Sequence, residues 1–134
     1  MSDCIFCKIL NNEIPSYKIY EDEDTYAFLD ISKDEIGHTL VIPKNHYSTI
    51  HDTPESTLSS LIKTVKILSN HFKSLGFDGV NILNNSGESA EQTINHLHFH
   101  IIPRKKDDGL RIFPNLNTKN IDLEECQKIF FKKS

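Results

Sequence analysis

The 134-residue sequence lacks the features that would assign it to a membrane or to a nucleic-acid partner. No stretch approaches the roughly 18 consecutive apolar residues of a membrane span. The first residues lack the basic segment and apolar core of a secretory signal, so we expect a cytoplasmic protein with no membrane partner. The net charge is −4. Because nucleic-acid-binding surfaces are normally basic, we expect no nucleic-acid partner.

Cysteine is also scarce. The chain has three Cys, an odd number, and no export signal, so a disulfide framework is not expected and metal binding or free thiols remain. Internal repeats, low-complexity tracts and Pro- or Gly-rich linkers are absent as well. Since the length suits one hydrophobic core, the sequence predicts a single domain over residues 1–134.

Short apolar or alternating segments predict five strands, at 18–21, 25–29, 39–42, 80–83 and 95–102. Pro43 and Pro103 are predicted to end two of them, because proline cannot donate to a strand ladder. The strands do not alternate regularly with helices, as they would in a parallel sheet. This order favours an α+β fold in which an antiparallel sheet has its helices on one side.

One long helix is predicted between the third and fourth strands. Asp52 or Thr53 is placed to cap it, Pro54 suits its first turn, and Gly76 suits the left-handed position after its end. Its apolar stripe recurs at three- and four-residue steps: Leu58, Leu61, Ile62, Val65, Leu68, Phe72 and Leu75. A short last helix from about residue 122 is predicted to turn its apolar side chains inward: Leu123, Cys126, Ile129 and Phe130.

The predicted strand at 95–102 carries three of the seven histidines in strict alternation with apolar residues. Successive side chains of a strand point to opposite faces. One face is therefore predicted to be apolar and to meet the core, with Leu97, Phe99 and Ile101. The other face is predicted to present a row of imidazoles, from His96, His98 and His100.

Three interpretations of this row differ in their chemistry. Plain exposure would suit one histidine better than three at this spacing. A shared zinc is disfavoured because the outer two positions lie roughly 13 Å apart along a strand, whereas Zn–N bonds are about 2 Å long. Two of the rings could still share an ion with other ligands. The third interpretation is nucleophilic catalysis, since neutral imidazole predominates near pH 7 and can attack a phosphorus centre.

The pattern His-φ-His-φ-His-φ-φ, where φ is apolar, is met at all seven positions of 96–102 and resembles the signature of the histidine triad family of nucleotide hydrolases and transferases. Segments 4–9, 13–15, 28–31, 37–44 and 92–104 resemble the same family in the same order. The resemblance implies an α+β fold of the histidine triad type. It also implies a homodimer in which the two antiparallel sheets join into one layer.

The resemblance implies a role for each histidine. His98 resembles the nucleophile, which attacks the α-phosphorus and carries a nucleotidyl group until water releases the nucleoside monophosphate. His100 resembles the residue that hydrogen-bonds a phosphate oxygen, and His96 a supporting or metal-binding position. His38 resembles a fourth family histidine near the first triad member, although a structural role suits it as well.

The resemblance also implies residues that bind the nucleotide. Asp30 resembles the residue whose carboxylate accepts the ribose hydroxyls, although aspartate is also common in turns. Ile31 would pack on the base or the sugar. Polar side chains before the triad resemble phosphate donors: Asn85, Gln92 and Thr93. Glu91 departs from the pattern, because the family usually has a small residue there, commonly glycine. A carboxylate near phosphates would repel them.

Cys4-x-x-Cys7 has the spacing of half a zinc site, although two small buried thiols would also explain it. His46 and His96 are the best candidates for the other two ligands, and some histidine triad proteins bind a structural zinc at the matching four positions. The resemblance therefore implies a closed zinc site that fastens the N-terminus without activating water. Cys126 lies outside this set.

The leading prediction is an enzyme acting at the α-phosphate of a purine nucleotide, on nucleoside phosphoramidates or adenylylated substrates. A dinucleoside polyphosphate substrate remains open. A nucleotide-binding or scaffold protein with weak activity is the competing prediction, and Glu91 leaves room for it. A catalytic metallohydrolase is a third possibility, which chelation would test.

Overall fold

The computed structural model describes residues 3–113 and 117–134. Its helices and strands follow one another as α1 (Ile5–Leu10), β1 (Lys18–Glu21), β2 (Thr25–Leu29), β3 (Thr39–Pro43), α2 (Glu55–Ser74), β4 (Gly79–Leu83), a 3₁₀ turn (Glu88–Ala90), β5 (Phe99–Arg104) and α3 (Leu123–Phe130). The strands form one sheet in the order β1-β2-β3-β5-β4, and every neighbouring pair is antiparallel. The predicted α+β class is confirmed. Among the described residues, no helix has the length and apolar character to cross a membrane.

The sheet has a helix on each face, so the prediction of helices on one side is wrong. Ala27 of β2 and Val41 of β3 belong to a core that also contains the buried side chains of α2. The side chains that follow in each strand point the other way and pack with α1, in a second core formed by Phe6, Ile9, Phe28, Leu40 and Ile42. Helix α1 has six residues and buries Phe6 and Ile9. An apolar pattern as short as this does not identify a helix in the sequence.

Strand β5 begins and ends later than predicted. Residues 95–98 precede the strand, because other groups bond them: the Leu97 N–H donates to Tyr47 O and the Asn84 amide donates to His98 O. Pro103 lies within the strand instead of ending it. Strand β3 begins at Thr39, which pairs with Ile101, and so it does not reach the position opposite Pro103. The N–H that proline lacks is therefore not needed for pairing with β3. Pro43 is the last residue of β3, so this strand does end at its proline.

Helix α2 begins without the predicted side-chain cap. Its N-cap residue is Pro54, which offers no capping oxygen. The Asp52 carboxylate instead accepts the N–H groups of Ser48 and Thr49, in the loop before the helix. The predicted stripe is buried at four of its positions, Leu61, Val65, Leu68 and Phe72, whereas Ile62 and Leu75 are exposed. Gly76 follows the helix with φ +103°, as predicted.

Helix α3 does not turn its apolar side chains inward. Leu123, Ile129 and Phe130 are each more than 70% exposed, and Cys126 is half-buried. The Asp122 side chain caps the helix by accepting the N–H groups of Glu124 and Glu125. The prediction is wrong because an amphipathic pattern identifies an apolar face but not an element that covers it.

Candidate active site and adjoining metal site

The triad histidines lie on the sheet face covered by α1. Leu97, Phe99 and Ile101 enter the core against α2, as the alternation predicts. On the other face, the Phe6 ring of α1 meets the rings of His96 and His98 edge to face, with centroids 5.7 and 5.2 Å away. The His98 and His100 rings follow each other at 5.0 Å. Helix α1 thus packs directly against the first two imidazoles.

His96 is fully buried and neutral. Its Nε2–H donates to Pro43 O at 3.0 Å, which leaves the lone pair of Nδ1 pointing at two thiols. Burial lowers the pKa of His96 to about 4, so that the ring carries no charge at pH 7. A neutral ring with one nitrogen bonded to a backbone carbonyl is the usual state of a metal-ligating histidine.

The thiol–imidazole cluster, formed by Cys4, Cys7, His46 and His96, has the spacing of a tetrahedral metal site. The His96 Nδ1 lies 3.4 Å from Cys4 Sγ and 3.6 Å from Cys7 Sγ, and the His46 Nδ1 lies 3.4 Å from Cys7 Sγ. All four donor atoms are within 4.8 Å of one another. Tetrahedral zinc places sulfur and nitrogen ligands roughly 3.5 Å apart. These residues therefore fit a zinc ion. They are the four that the cysteine spacing and the family resemblance predicted.

His98 is held in one orientation and one tautomer. Its Nδ1–H donates to the backbone oxygen of His96 at 2.8 Å, and the residue is only 6% exposed. Burial lowers the pKa of His98, so that the imidazole is neutral near pH 7. The proton is on Nδ1, and Nε2 therefore carries the lone pair, as a nucleophile requires.

The carboxylate–imidazole cluster, formed by Asp30, Asp34, His38 and His100, lies on the other side of His98. His38 Nε2 is 2.9 Å from His100 Nδ1, and His38 Nδ1 is 2.8 Å from Asp34 Oδ1. His38 thus contacts the last triad member, whereas the resemblance placed it near the first. Burial lowers the pKa of His100 to about 4, with the neighbouring imidazoles contributing in the same direction.

Asp30, which belongs to this cluster, and Ile31 follow β2 directly. One Asp30 oxygen accepts the N–H of Ser32 at 2.8 Å, which is the turn role that aspartate often has. The other oxygen lies 3.7 Å from His38 Nε2. The Ile31 side chain is 78% exposed, so its apolar surface is open to a ligand. Their assignment to ribose and base stays a prediction.

In the segment before the triad, the Gln92 side chain that was predicted to bind phosphate is already hydrogen-bonded within the protein. The Gln92 amide donates to Ser48 O and Ile94 O, and its oxygen accepts the N–H of Gly87. A phosphate contact would require one of the donated bonds to open. Asn85 is half-buried and Thr93 is exposed. Glu91 has φ +67°, a left-handed backbone conformation that is strained for a residue with a Cβ but not for glycine.

Sequence reasoning missed three residues of the site. Phe6 packs on the imidazoles, the Asn84 amide holds the backbone oxygen of His98, and Asp34 bonds His38. The double Asn at 84 and 85 was a visible signal, because asparagine often bonds backbone groups. Asp34 carried no signal, since its contact depends on how the loop between β2 and β3 closes.

Comparison with known proteins identifies the family. Residues 11–107 match the HIT domain, so the chain belongs to the histidine triad family. A HIT-like protein of Methanocaldococcus jannaschii is 51% identical over 93% of this chain and 96% of its own. The adenosine 5′-monophosphoramidase of Saccharomyces cerevisiae is 39% identical over 94% of this chain and 77% of its own. The adenylylsulfatase of Arabidopsis thaliana is 41% identical over 92% of this chain and 64% of its own.

Solved structures agree with the fold. A protein from Streptococcus mutans superposes with a TM-score of 0.85 and 39% identity, over 96% of this chain and 82% of its own. A zinc-bound histidine triad protein from Mycobacterium smegmatis gives a TM-score of 0.80 and 36% identity, over 87% of this chain and 85% of its own. The match to the HIT domain and the similarity to these relatives identify a Hint-like member of the family.

Proposed function

We propose that this protein hydrolyses a bond at the α-phosphate of a purine nucleotide, with nucleoside phosphoramidates or adenylylated compounds as substrates. The observation that carries the proposal is the bond from His98 Nδ1–H to His96 O, which leaves the His98 Nε2 lone pair for attack. The relatives named as a monophosphoramidase and an adenylylsulfatase support the class of substrate. In both named activities an adenosine phosphate is separated from its substituent.

The reaction takes two displacements at one phosphorus. The His98 Nε2 first forms an N–P bond while the bond from phosphorus to the leaving group breaks, and an amine leaving group takes up a proton as it departs. Water then attacks the nucleotidyl-histidine, the N–P bond breaks, and a nucleoside monophosphate is released. The first step leaves His98 as a cationic ring that carries the nucleotidyl group on Nε2, with Nδ1–H still bonded to the His96 carbonyl. The second step, in which the attacking water gives up a proton to solvent, restores the neutral ring.

The remaining site residues are proposed to bind the nucleotide around this atom. Asp30 would accept ribose hydroxyls through the oxygen that is not bonded to Ser32, and Ile31 would cover the base or the sugar. His100, adjacent to His98, would bond a phosphate oxygen. Polar groups before β5 would donate to the other phosphate oxygens, namely Asn85, Gln92 and Thr93.

The thiol–imidazole cluster is proposed to hold a structural zinc. Four protein ligands leave no open coordination position, so the ion would not activate water. It would instead join α1 to His96, whose backbone oxygen orients His98. No step of the reaction passes through the ion.

A homodimer is proposed from the edges of the sheet. Strand β4 lies at the end of the strand order, and among the strands that the structure describes its one partner is β5. An edge strand presents unpaired N–H and C=O groups that can pair with a second copy. Light scattering at micromolar concentration should give twice the chain mass, and a monomer would refute the dimer. The cytoplasmic location and the extent of one domain over 1–134 stay predictions.

Glu91 favours a second candidate, a nucleotide-binding protein with weak activity. An exposed carboxylate in the segment before the triad would repel substrate phosphates. Both candidates bind a nucleotide, so turnover is the property that distinguishes them. A dinucleoside polyphosphate hydrolase differs from the leading proposal only in its leaving group.

The test is turnover of an adenosine phosphoramidate by the wild type, His98→Ala and His71→Ala. His71 is exposed on α2, so its variant controls for loss of one imidazole. We expect His98→Ala to lose at least about a thousandfold in kcat, since the nucleophile is gone, and His71→Ala to match the wild type. Equal rates for the wild type and His98→Ala would refute the enzyme. Parallel assays with a dinucleoside polyphosphate and a sulfate-linked adenylate would identify the leaving group.

A further inference from the structure

Asp34 belongs to the loop between β2 and β3, and this loop closes over His38. The N–H of Asp30 donates to His38 O at 2.8 Å, and the N–H of His38 donates to Glu35 O at 3.3 Å. The closed loop places Asp34 Oδ1 2.8 Å from His38 Nδ1. The Asp34 side chain is more than half exposed, whereas the His38 side chain is almost buried.

The bond fixes where the proton of His38 resides. Partial burial raises the pKa of Asp34, but the hydrogen bond and charge of His38 outweigh it and the net shift is downward. An ionised carboxylate has no proton to give, so His38 Nδ1 must carry the hydrogen of this bond. When His38 is neutral, its Nε2 then has a lone pair and accepts from His100 Nδ1–H at 2.9 Å.

The spacing distinguishes this chain of bonds from a second metal site. Oxygen and nitrogen donors of Asp30, His38 and His100 also lie within 4.8 Å of one another. Two imidazole nitrogens on one tetrahedral zinc are roughly 3.3 Å apart, whereas those of His38 and His100 are 2.9 Å apart. The shorter distance is that of a direct hydrogen bond.

We propose that Asp34 is a positioning residue of the active site, which keeps the proton of His38 on Nδ1 and thereby holds His100 by its Nδ1–H, leaving the His100 Nε2 for the substrate. The inference rests on the proposed function, because it assigns His100 to the nucleotide. Asp34 itself touches no reacting atom. Its effect passes through two rings, and the second of these packs on His98.

The test combines imidazole ¹⁵N spectra with turnover of the phosphoramidate. Asp34→Ala removes the acceptor, Asp34→Asn keeps an amide oxygen that can accept the same N–H, and Glu35→Gln removes a charge from the same loop. The Glu35 side chain accepts the N–H of Ile36, which a glutamine oxygen also does. We expect His38 to be protonated at Nδ1 in the wild type, Asp34→Asn and Glu35→Gln. In Asp34→Ala we expect a mixture of tautomers.

The rates should follow the tautomers. We expect a fall in kcat/KM of about tenfold for Asp34→Ala, the loss of one hydrogen bond to a charged group, partial rescue in Asp34→Asn, and no change in Glu35→Gln. An unprotonated His38 Nδ1 in the wild type would overturn the inference. An active wild type with unchanged tautomer and rate in Asp34→Ala would overturn it as well. A wild type without turnover would instead overturn the proposed function.

Discussion

The two clusters that flank His98 use imidazole in different ways. In the thiol–imidazole cluster the sulfur and nitrogen atoms lie 3.4–3.6 Å apart, and one nitrogen of His96 is already bonded to a carbonyl. In the carboxylate–imidazole cluster the bonded atoms form a chain from Asp34 through His38 to His100 and lie 2.8–2.9 Å apart, with Asp30 farther away at 3.7 Å from His38. The first spacing admits a metal ion between the ligands, whereas the second leaves only a proton between each pair.

This difference explains how one short segment can serve two purposes. His96 turns its ring to the metal side and its backbone oxygen to His98, so it links the proposed zinc to the nucleophile. His100 has its Nδ1 bonded to His38 and its ring against His98. His98, the proposed nucleophile, is therefore fixed from one side by a backbone bond and bordered on the other by a hydrogen-bonded ring.

Removing one thiol should have the largest effect on stability. Cys7→Ser should lower bound zinc from about one ion per chain to almost none, because Cys7 Sγ contacts both imidazole ligands. At free zinc about a thousand times Kd, loss of binding costs about 4 kcal/mol of stability. Metal analysis and thermal unfolding of the zinc-loaded protein would measure both quantities.

Cys126→Ser is the matched control for that experiment. Cys126 lies in α3 and belongs to no metal-ligating group among the described residues. Its variant should keep the zinc content and the melting temperature of the wild type. An unchanged zinc content in Cys7→Ser would contradict the proposal that the thiol–imidazole cluster binds zinc.

A change beside His38 should disturb the other cluster. Gly37 has φ +78°, and an added Cβ would lie 3.0 Å from Pro103 Cγ. Gly37→Ala should therefore lose about 2–4 kcal/mol, from backbone strain and from the contact, together with activity. Gly109 has φ +79°, and no atom lies within 4 Å of where an added Cβ would be, so Gly109→Ala should lose stability through backbone strain alone. Equal unfolding free energies for the two variants would show that the contact with Pro103 is relieved at no cost.

The smallest expected effect concerns Glu91. Glu91→Gly removes left-handed strain but adds chain entropy to the unfolded state, so stability should rise by at most about 1 kcal/mol. Loss of the carboxylate should also lower KM for an anionic nucleotide. Asp107→Gly, at φ +61°, is a control with similar strain. It should leave KM unchanged, and an equal KM for Glu91→Gly and the wild type would place the carboxylate away from the phosphates.

Local patterns predicted most of the sheet, and residue types together with the family resemblance predicted the four residues of the proposed metal site. The bounds of β1 and β2 are as predicted, and the alternation at 96–101 correctly separated the core face from the imidazole face. The four ligands named by residue type and resemblance do meet. These successes depend on side-chain direction and on ligand chemistry, both of which are local.

The errors arose where a tertiary partner decides the outcome. The start of β5 depends on a bond to Tyr47 O and on one from the Asn84 amide, and the apolar side chains of α3 are exposed in the described part of the chain. The contact between Asp34 and His38 depends on how a loop closes. Apart from the double Asn at 84 and 85, none of these partners is marked in the sequence.

The central claim is that His98 becomes covalently loaded with a nucleoside monophosphate. The direct measurement is acid-free quenching of the protein during turnover of a slowly hydrolysed adenosine phosphoramidate, followed by peptide mass spectrometry. We predict one added adenylyl group, located on His98, and none in His98→Ala. An adenylyl group on another side chain, or none in a wild type that turns over the substrate, would contradict the account.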